Sequence, residues 1–197
     1  MFPLGRMLKP EVRRIAEQNG LVTAKKKDST GICFIGERKF RAFLSEYLPG
    51  QKGRIVDVNG KTVGEHFGLM YYTLGQRKGL GIGGVAGEEQ SRWYVVEKRL
   101  SDNTLVGSCG EGEELFSRAL NASGLNVIGP WDKKKFECTA KFRYRQSEQP
   151  VFAEITDNDR VRIEFKTPQR AVTPGQYAVL YCGERCLGGA VIDEVIK

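Results

Sequence analysis

One thiol in this sequence has the company that chemistry needs. Cys33 follows Lys25-Lys26-Lys27-Asp28-Ser29-Thr30-Gly31-Ile32 and precedes Phe34-Ile35-Gly36-Glu37. A thiol reacts as its thiolate, and nearby positive charge favours that form. Gly31 lets the backbone turn tightly or approach a ligand, while Phe34 and Ile35 anchor the far side in apolar surroundings. A competing reading is as physical. Free Cys is among the most buried residue types, so Cys33 would be a small core hydrophobe beside a solvated lysine run. Residue types alone leave both open.

The other titratable groups offer less. Cys33, Cys109, Cys138, Cys182 and Cys186 make an odd set of five, without a Cys-x-x-Cys pair. The single histidine, His66, has no partner at metal-ligand spacing. A zinc site and a secreted disulfide framework are both disfavoured, and reduced thiols in the cytoplasm are expected. Cys138 and Cys186 read as core, and Cys109 as an exposed thiol without chemical company. His66 reads as a hydrogen-bonding loop residue more than as a base. The net charge of +7 suits a polyanion such as nucleic acid. No apolar run is long enough to span a bilayer, and Met1–Pro10 lacks a signal-peptide core.

Something must position these groups, and 197 residues allow one large domain or two small ones. Pro10, the stripe Val12, Ile15 and Ala16, and a closing Gly20 predict a first helix. Phe40, Phe43 and Leu44 predict a second over Arg38–Leu48, with Arg38, Lys39 and Arg41 off the apolar face. Arg54–Val63 predicts a hairpin around the tight two-residue turn Asn59-Gly60. Gly79, Gly81 and Gly84 match dinucleotide-fingerprint spacing, but Val85–Ser91 is too short for the required helix and Trp93–Lys98 reads as a strand. A glycine loop with Gln76, Arg77 and Lys78 at its root better suits a polyanion.

From Trp93 onward the pattern is all-β. A hairpin is expected around Asp102-Asn103. Phe136–Tyr144 alternates most clearly, with Phe136, Cys138, Ala140, Phe142 and Tyr144 facing one way. Further strands are predicted at Val151–Ile155, Val161–Phe165, Ala178–Tyr181 and Gly189–Val195, which argues for a small barrel. On this pattern Arg143 lies on a wet strand face, Tyr144 in the core, and Gln176 in a turn after Pro174-Gly175.

A resemblance runs from about Phe2 to Val195. Lys25–Glu37 with Arg38-Lys39-Phe40 resembles the signature around the second cysteine of the bacterial tRNA-specific 2-thiouridylases. Gly64–Gly84, Arg143-Tyr144-Arg145-Gln146 and Thr173-Pro174-Gly175-Gln176 are similar to that family in the same order. The resemblance implies a mainly β fold with a few short helices (α+β). Residues 1–32 would be a remnant of an N-terminal nucleotide-binding domain, and residues 33–103 a central domain with the persulfide cysteine and the Gly-rich loop. Residues 104–197 would be a tRNA-contacting C-terminal β-barrel like the second domain of translation elongation factors.

The implied activity is that of a tRNA-uridine 2-sulfurtransferase, an ATP-dependent 2-thiolation of the wobble uridine. A sulfur donor, either a cysteine desulfurase or a sulfur-relay protein, loads a persulfide on Cys33. Adenylation by ATP activates the uridine oxygen, sulfur replaces it, and a second cysteine helps release the sulfur through a disulfide. Arg143, Tyr144 and Gln176 carry over as tRNA contacts. The family's Ser-Gly-Gly-x-Asp-Ser phosphate loop and its attacking cysteine have no counterpart here. The ATP site is therefore expected outside this chain, the chain alone is expected to be inactive, and no metal and no membrane are expected. The alternative is a non-catalytic RNA-binding module with a structural Cys33.

Overall fold

A computed structural model describes residues 2–28, 40–82, 92–130, 132–144, 146–157 and 159–197. The chain divides into two compact units, Met1–Tyr47 and Leu48–Lys197.

The first unit contains α1 (Lys9–Gln18) and α2 (Phe40–Tyr47). Pro10 sits in the first turn of α1, where its missing N–H costs nothing. Gly20 closes the helix at φ +66. Its N–H donates to the Glu17 carbonyl at 3.0 Å, and the Leu21 N–H donates to the Ala16 carbonyl at 2.9 Å. This two-bond cap needs a left-handed residue at that position, which glycine adopts without strain. The chain then folds back on α1. Asp28 pairs with Lys9 at 3.2 Å and with Arg13 at 3.1 Å, and Lys25 pairs with Glu17 at 3.0 Å. In α2, the rings of Phe43 and Tyr47, one helical turn apart, meet at a tilt of 52° with centroids 5.2 Å from each other.

The second unit opens with a four-stranded sheet in the order β2-β1-β4-β3. Its strands are β1 (Gly53–Val56), β2 (Thr62–His66), β3 (Trp93–Arg99) and β4 (Thr104–Cys109). Successive side chains alternate faces, so Ile55, Val95 and Leu105 pack on one side with Leu69, Tyr72 and Leu80. Val56, Tyr94, Val96 and Val106 pack on the other side with Leu115. The β3–β4 hairpin turns at Asp102-Asn103, as its sequence predicts, with Asn103 at φ +50.

The β1–β2 turn is wider than Asn59-Gly60 suggests. Strand pairing stops at Val56↔Thr62. Asp57 Oδ1 accepts from the N–H groups of Asn59 (2.9 Å) and Lys61 (2.8 Å), and Gly60 takes φ +86. The Asp57 carboxylate organises the loop, so the tight two-residue turn is replaced by a longer one.

A closed barrel follows in the order β10-β5-β8-β7-β6-β9. Its strands are β5 (Phe116–Val127), β6 (Lys135–Lys141), β7 (Gln149–Asp157), β8 (Arg160–Arg170), β9 (Tyr177–Cys182) and β10 (Arg185–Ile196). Leu120, Phe142, Val151, Ile163, Leu180 and Ile192 are among the side chains filling it. β5 escaped the sequence reading because Asn121, Ser123, Gly124 and Asn126 mask its alternation. Its polar groups point outward and are satisfied on β10: Asn121 Nδ2 donates to Glu194 at 2.9 Å, and Ser123 Oγ donates to Asp193 at 3.0 Å.

Candidate nucleic-acid interface

Cys33, Arg145, Gly83 and Gly84 lie outside the described residues. The approach to Cys33 is visible as far as Asp28. The hydrogen bonds and charges of Lys9 and Arg13 hold the Asp28 carboxyl below the usual carboxylate range. Lys25 is already paired with Glu17. One ammonium group of the lysine run is therefore neutralised locally, while Lys26 and Lys27 remain exposed.

β6 and β9 pair up to Lys141↔Val179. The segments leaving that point, Phe142–Tyr144 and Gln176–Tyr177, therefore share one end of the barrel. This brings Arg143, Tyr144 and Gln176 to the same rim, although they are far apart in sequence. Their local settings differ from the strand-based expectation. Pairing ends before Phe142, whose N–H donates to Gln146 Oε1 at 3.0 Å, and the Gln146 N–H closes a turn on the Arg143 carbonyl at 3.1 Å. Phe142 stays buried, but the chain turns after it, and Tyr144 is 96% exposed instead of lying in the core. The alternation argument fails there because a side-chain amide replaces the strand partner.

Arg143 is anchored, not simply wet. Its Nη2 donates to the Ala171 carbonyl at 2.8 Å and to the Leu74 carbonyl at 3.1 Å, joining the barrel rim to the root of the glycine loop. Burial, with the positive charge of Arg170 behind it, pushes the Arg143 pKa down. An arginine remains cationic at neutral pH nonetheless. Ala171, at φ +53, offers its carbonyl to both Arg143 and Thr173 Oγ1. Arg170 is tied in turn to Glu111 at 2.9 Å and lies over the Tyr94 ring at 5.2 Å. Both bidentate edges of a guanidinium include Nη2, which is doubly engaged here, so a phosphate would meet Nε–H or an Nη1 hydrogen of Arg143 singly.

Gln176 is fixed through its backbone, its carbonyl accepting from the Ile192 N–H at 2.8 Å. Its side-chain Oε1 is buried and has no hydrogen-bond partner among the described residues. An unpaired buried acceptor costs about 1–3 kcal/mol, and a ligand N–H or O–H would relieve that cost.

The loop root is built the same way. Gly75 and Gln76 bond to Val95 of β3 at 2.7 and 3.0 Å. Gly75 takes φ +76, and a Cβ there would press on the Ala171 side chain, so only glycine lets loop and barrel approach this closely. Gln76 spends its amide inside the loop, on the Thr73 N–H and the Lys78 carbonyl. Arg77 and Lys78 are left exposed beside it.

The sequence reading missed an amide relay beneath the rim. Gln146 Nε2 donates to Gln169 Oε1 at 3.0 Å, and Gln169 Nε2 donates to Gln149 Oε1 at 3.2 Å and to the Thr167 carbonyl at 2.8 Å. The one clue in the sequence was Gln146, the last residue of the Arg-Tyr-Arg-Gln run. His66, by contrast, is spoken for. Its Nδ1 accepts from the Gly68 N–H at 3.1 Å, so Nε2 carries the proton shared with the Asn103 carbonyl at 3.0 Å.

A groove of about 450 Å³ runs between β3 and the barrel, next to Leu74 and Thr173. Glu97, Glu114, Asp193 and Glu194 outnumber Lys98 and Lys197 along it, which makes it less favourable for a phosphate than the rim. Among the described residues no cluster of His, Cys, Asp and Glu could hold a metal ion.

Comparison with known proteins agrees with this architecture. Residues 117–192 match the aminomethyltransferase beta-barrel domain, residues 41–108 the tRNA methyl transferase PRC-barrel domain, and residues 1–37 the tRNA methyl transferase HUP domain. The chain is 54% identical over 199 residues to a protein of Streptococcus thermophilus named tRNA-specific 2-thiouridylase MnmA. It is also 54% identical over 201 residues to a Staphylococcus aureus protein of the same name. Both alignments cover 100% of this chain and 53% of the relative, so the chain spans about half the length of the curated relatives it matches.

Proposed function

The chain belongs to the tRNA-specific 2-thiouridylase family, and from that premise we propose that it contributes the persulfide cysteine and part of the tRNA grip of a wobble-uridine 2-sulfurtransferase. The observation that carries this reading is the 54% identity maintained along the whole chain. In the proposed reaction a donor protein, a cysteine desulfurase or a sulfur relay, leaves a persulfide on Cys33. The terminal sulfur attacks C2 of the uridine, whose oxygen has been activated as an adenylate by ATP, and AMP departs. A second thiol then attacks the Cys33 sulfur and breaks the S–S bond. The outer sulfur stays on the base, and the two cysteines end as a disulfide. The family's phosphate-loop motif and attacking-cysteine segment have no counterpart in this sequence, and the chain alone is proposed to be inactive.

Arg143, Tyr144 and Gln176 are proposed to hold the tRNA. Their common barrel rim, the exposure of Tyr144 and the unpaired Gln176 amide oxygen support this. Arg143 would pair with a phosphate, Tyr144 would stack on an unpaired base, and Gln176 would accept from a base or a 2′-hydroxyl. Such chemistry belongs to the cytoplasm, where tRNA is processed.

Replacing Cys33 with serine in a complete enzyme of this family tests the proposal. 2-Thiouridine in its tRNA is expected to vanish, and unchanged thiolation would overturn the reading. Iodoacetamide distinguishes the non-catalytic RNA-binding alternative. A sulfur-carrying Cys33 is alkylated ahead of Cys109, Cys138, Cys182 and Cys186 near neutral pH, and a structural one is not.

A further inference from the structure

Cys138 and Cys182 stand opposite each other on the seam where β6 meets β9. The antiparallel register runs Lys141↔Val179, Ala140↔Leu180, Thr139↔Tyr181, and one further step sets Cys138 against Cys182. Thr139 Oγ1 still reaches the Tyr181 carbonyl at 3.5 Å, so the strands have not separated there. Side-chain alternation places both thiols on the inward face. Phe136 and Ala140 on β6, and Ala178 and Leu180 on β9, are buried with the same parity. Cys138 packs against the barrel core, whereas Cys182, at the strand end, is exposed.

Directly opposed residues of an antiparallel pair have Cα atoms about 4.5 or 5.5 Å apart, depending on the type of pair. Either spacing falls inside the roughly 4.4–6.8 Å that a disulfide spans. Cys186 is a poorer partner. It lies on β10 opposite Tyr181 of β9, and its neighbour Leu187 takes the buried position, leaving Cys186 on the outer parity.

We infer that Cys138 and Cys182 form an oxidisable dithiol, a site at which hydrogen peroxide closes a disulfide across the barrel seam. The exposed Cys182 reacts first. Its sulfur takes one peroxide oxygen to become a sulfenic acid, and the other oxygen leaves as water. The Cys138 sulfur then attacks that of Cys182, the S–O bond breaks, and the hydroxyl leaves as water with the Cys138 proton. Two thiols and one peroxide thus give one disulfide and two waters. Burial, with the Cys182 thiol beside it, pushes the Cys138 thiol up to about 12. The second step is therefore the slow one near neutral pH and quickens as pH rises. The closed link would stiffen the same two strands whose other ends lead to Tyr144 and Gln176.

The purified chain treated with peroxide and digested without reductant tests this. The expected product is a peptide pair joined through Cys138 and Cys182, two hydrogens lighter than its parts. It disappears with dithiothreitol and is absent from the Cys182→Ser variant. The thermal midpoint is expected to rise by several degrees on oxidation of the unaltered chain only, since cross-linking a long loop restricts the unfolded state. Cys182 is exposed, so its substitution leaves the fold intact and the comparison readable. If Cys182 stops at a sulfenic or sulfinic acid, or links to another thiol or another chain while Cys138 stays free, the inference is overturned.

Discussion

Arg143 answers two demands with one guanidinium. Its Nη2 holds the Leu74 and Ala171 carbonyls together, while its remaining N–H groups are the proposed phosphate contact. Arg143→Ala is expected to lower stability by about 1–2 kcal/mol in urea denaturation, because two carbonyls lose a charged donor. Arg143→Lys keeps the charge but not the fork, so stability and tRNA affinity both recover only in part. Tyr144 separates the two kinds of effect. Tyr144→Ala should leave stability within about 0.5 kcal/mol, yet weaken tRNA binding by about 1–3 kcal/mol as stacking is lost. Tyr144→Phe should restore that binding in a fluorescence titration, and no loss with alanine would remove Tyr144 from the interface.

Cys138 makes a prediction of its own. Its thiol is raised from 9.0 to about 12 in the fold, so between those values the folded chain holds a proton that the unfolded chain releases. That contribution is fully present below pH 9.0 and is lost as pH climbs towards about 12. Lys98 is shifted downward by burial and acts with the opposite sign, its fold gaining as pH approaches 10.5. The thermal midpoint of the unaltered chain should therefore fall more steeply above pH 9.0 than that of Cys138→Ala. Equal slopes would assign the shift to other groups.

At the scale of elements, the rim is held by amides more than by strands. Gln146 ends β6 by capping Phe142, and Gln169 supports Gln146 from β8. Gln169→Leu removes the partners of Gln146 Nε2 and Gln149 Oε1, both on half-buried residues, and a cost of about 1–2 kcal/mol is expected. The same variant should weaken tRNA binding, although Gln169 is itself buried and lies beneath the rim. The barrel has one position with still less tolerance. Gly188 takes φ +147 where β10 crosses β5, and a Cβ there would collide with the Asn126 carbonyl oxygen. Gly188→Ala is expected to cost about 3 kcal/mol or more, or to prevent folding; near-native stability would show that the β10 bulge can relax.

For the molecule as a whole, charge and topology divide the labour. A net charge of +7 would favour a polyanionic partner without saying where it lands. The groove beside β3 is lined mainly by carboxylates, whereas the barrel rim gathers the residues proposed to hold tRNA. Binding of tRNA by the chain should weaken steeply with added salt, and Arg143→Ala should flatten that dependence by about one counterion. An unchanged slope would mean that Arg143 serves only as a clamp.

The sequence by itself determined the local order: α1 with its Gly20 cap, the β3–β4 hairpin, the alternating core of β6, and the motifs that named a family. These follow from neighbours a few residues apart, where periodicity and turn chemistry act directly. Only the tertiary structure decided that residues 143, 144 and 176 share a rim, that Tyr144 points to solvent, that Asp57 widens a turn, and that two cysteines face each other across a seam. Those outcomes depend on which strands pair and in what register. Barrel closure sets that pairing through contacts between residues far apart in the chain, and no local pattern encodes it.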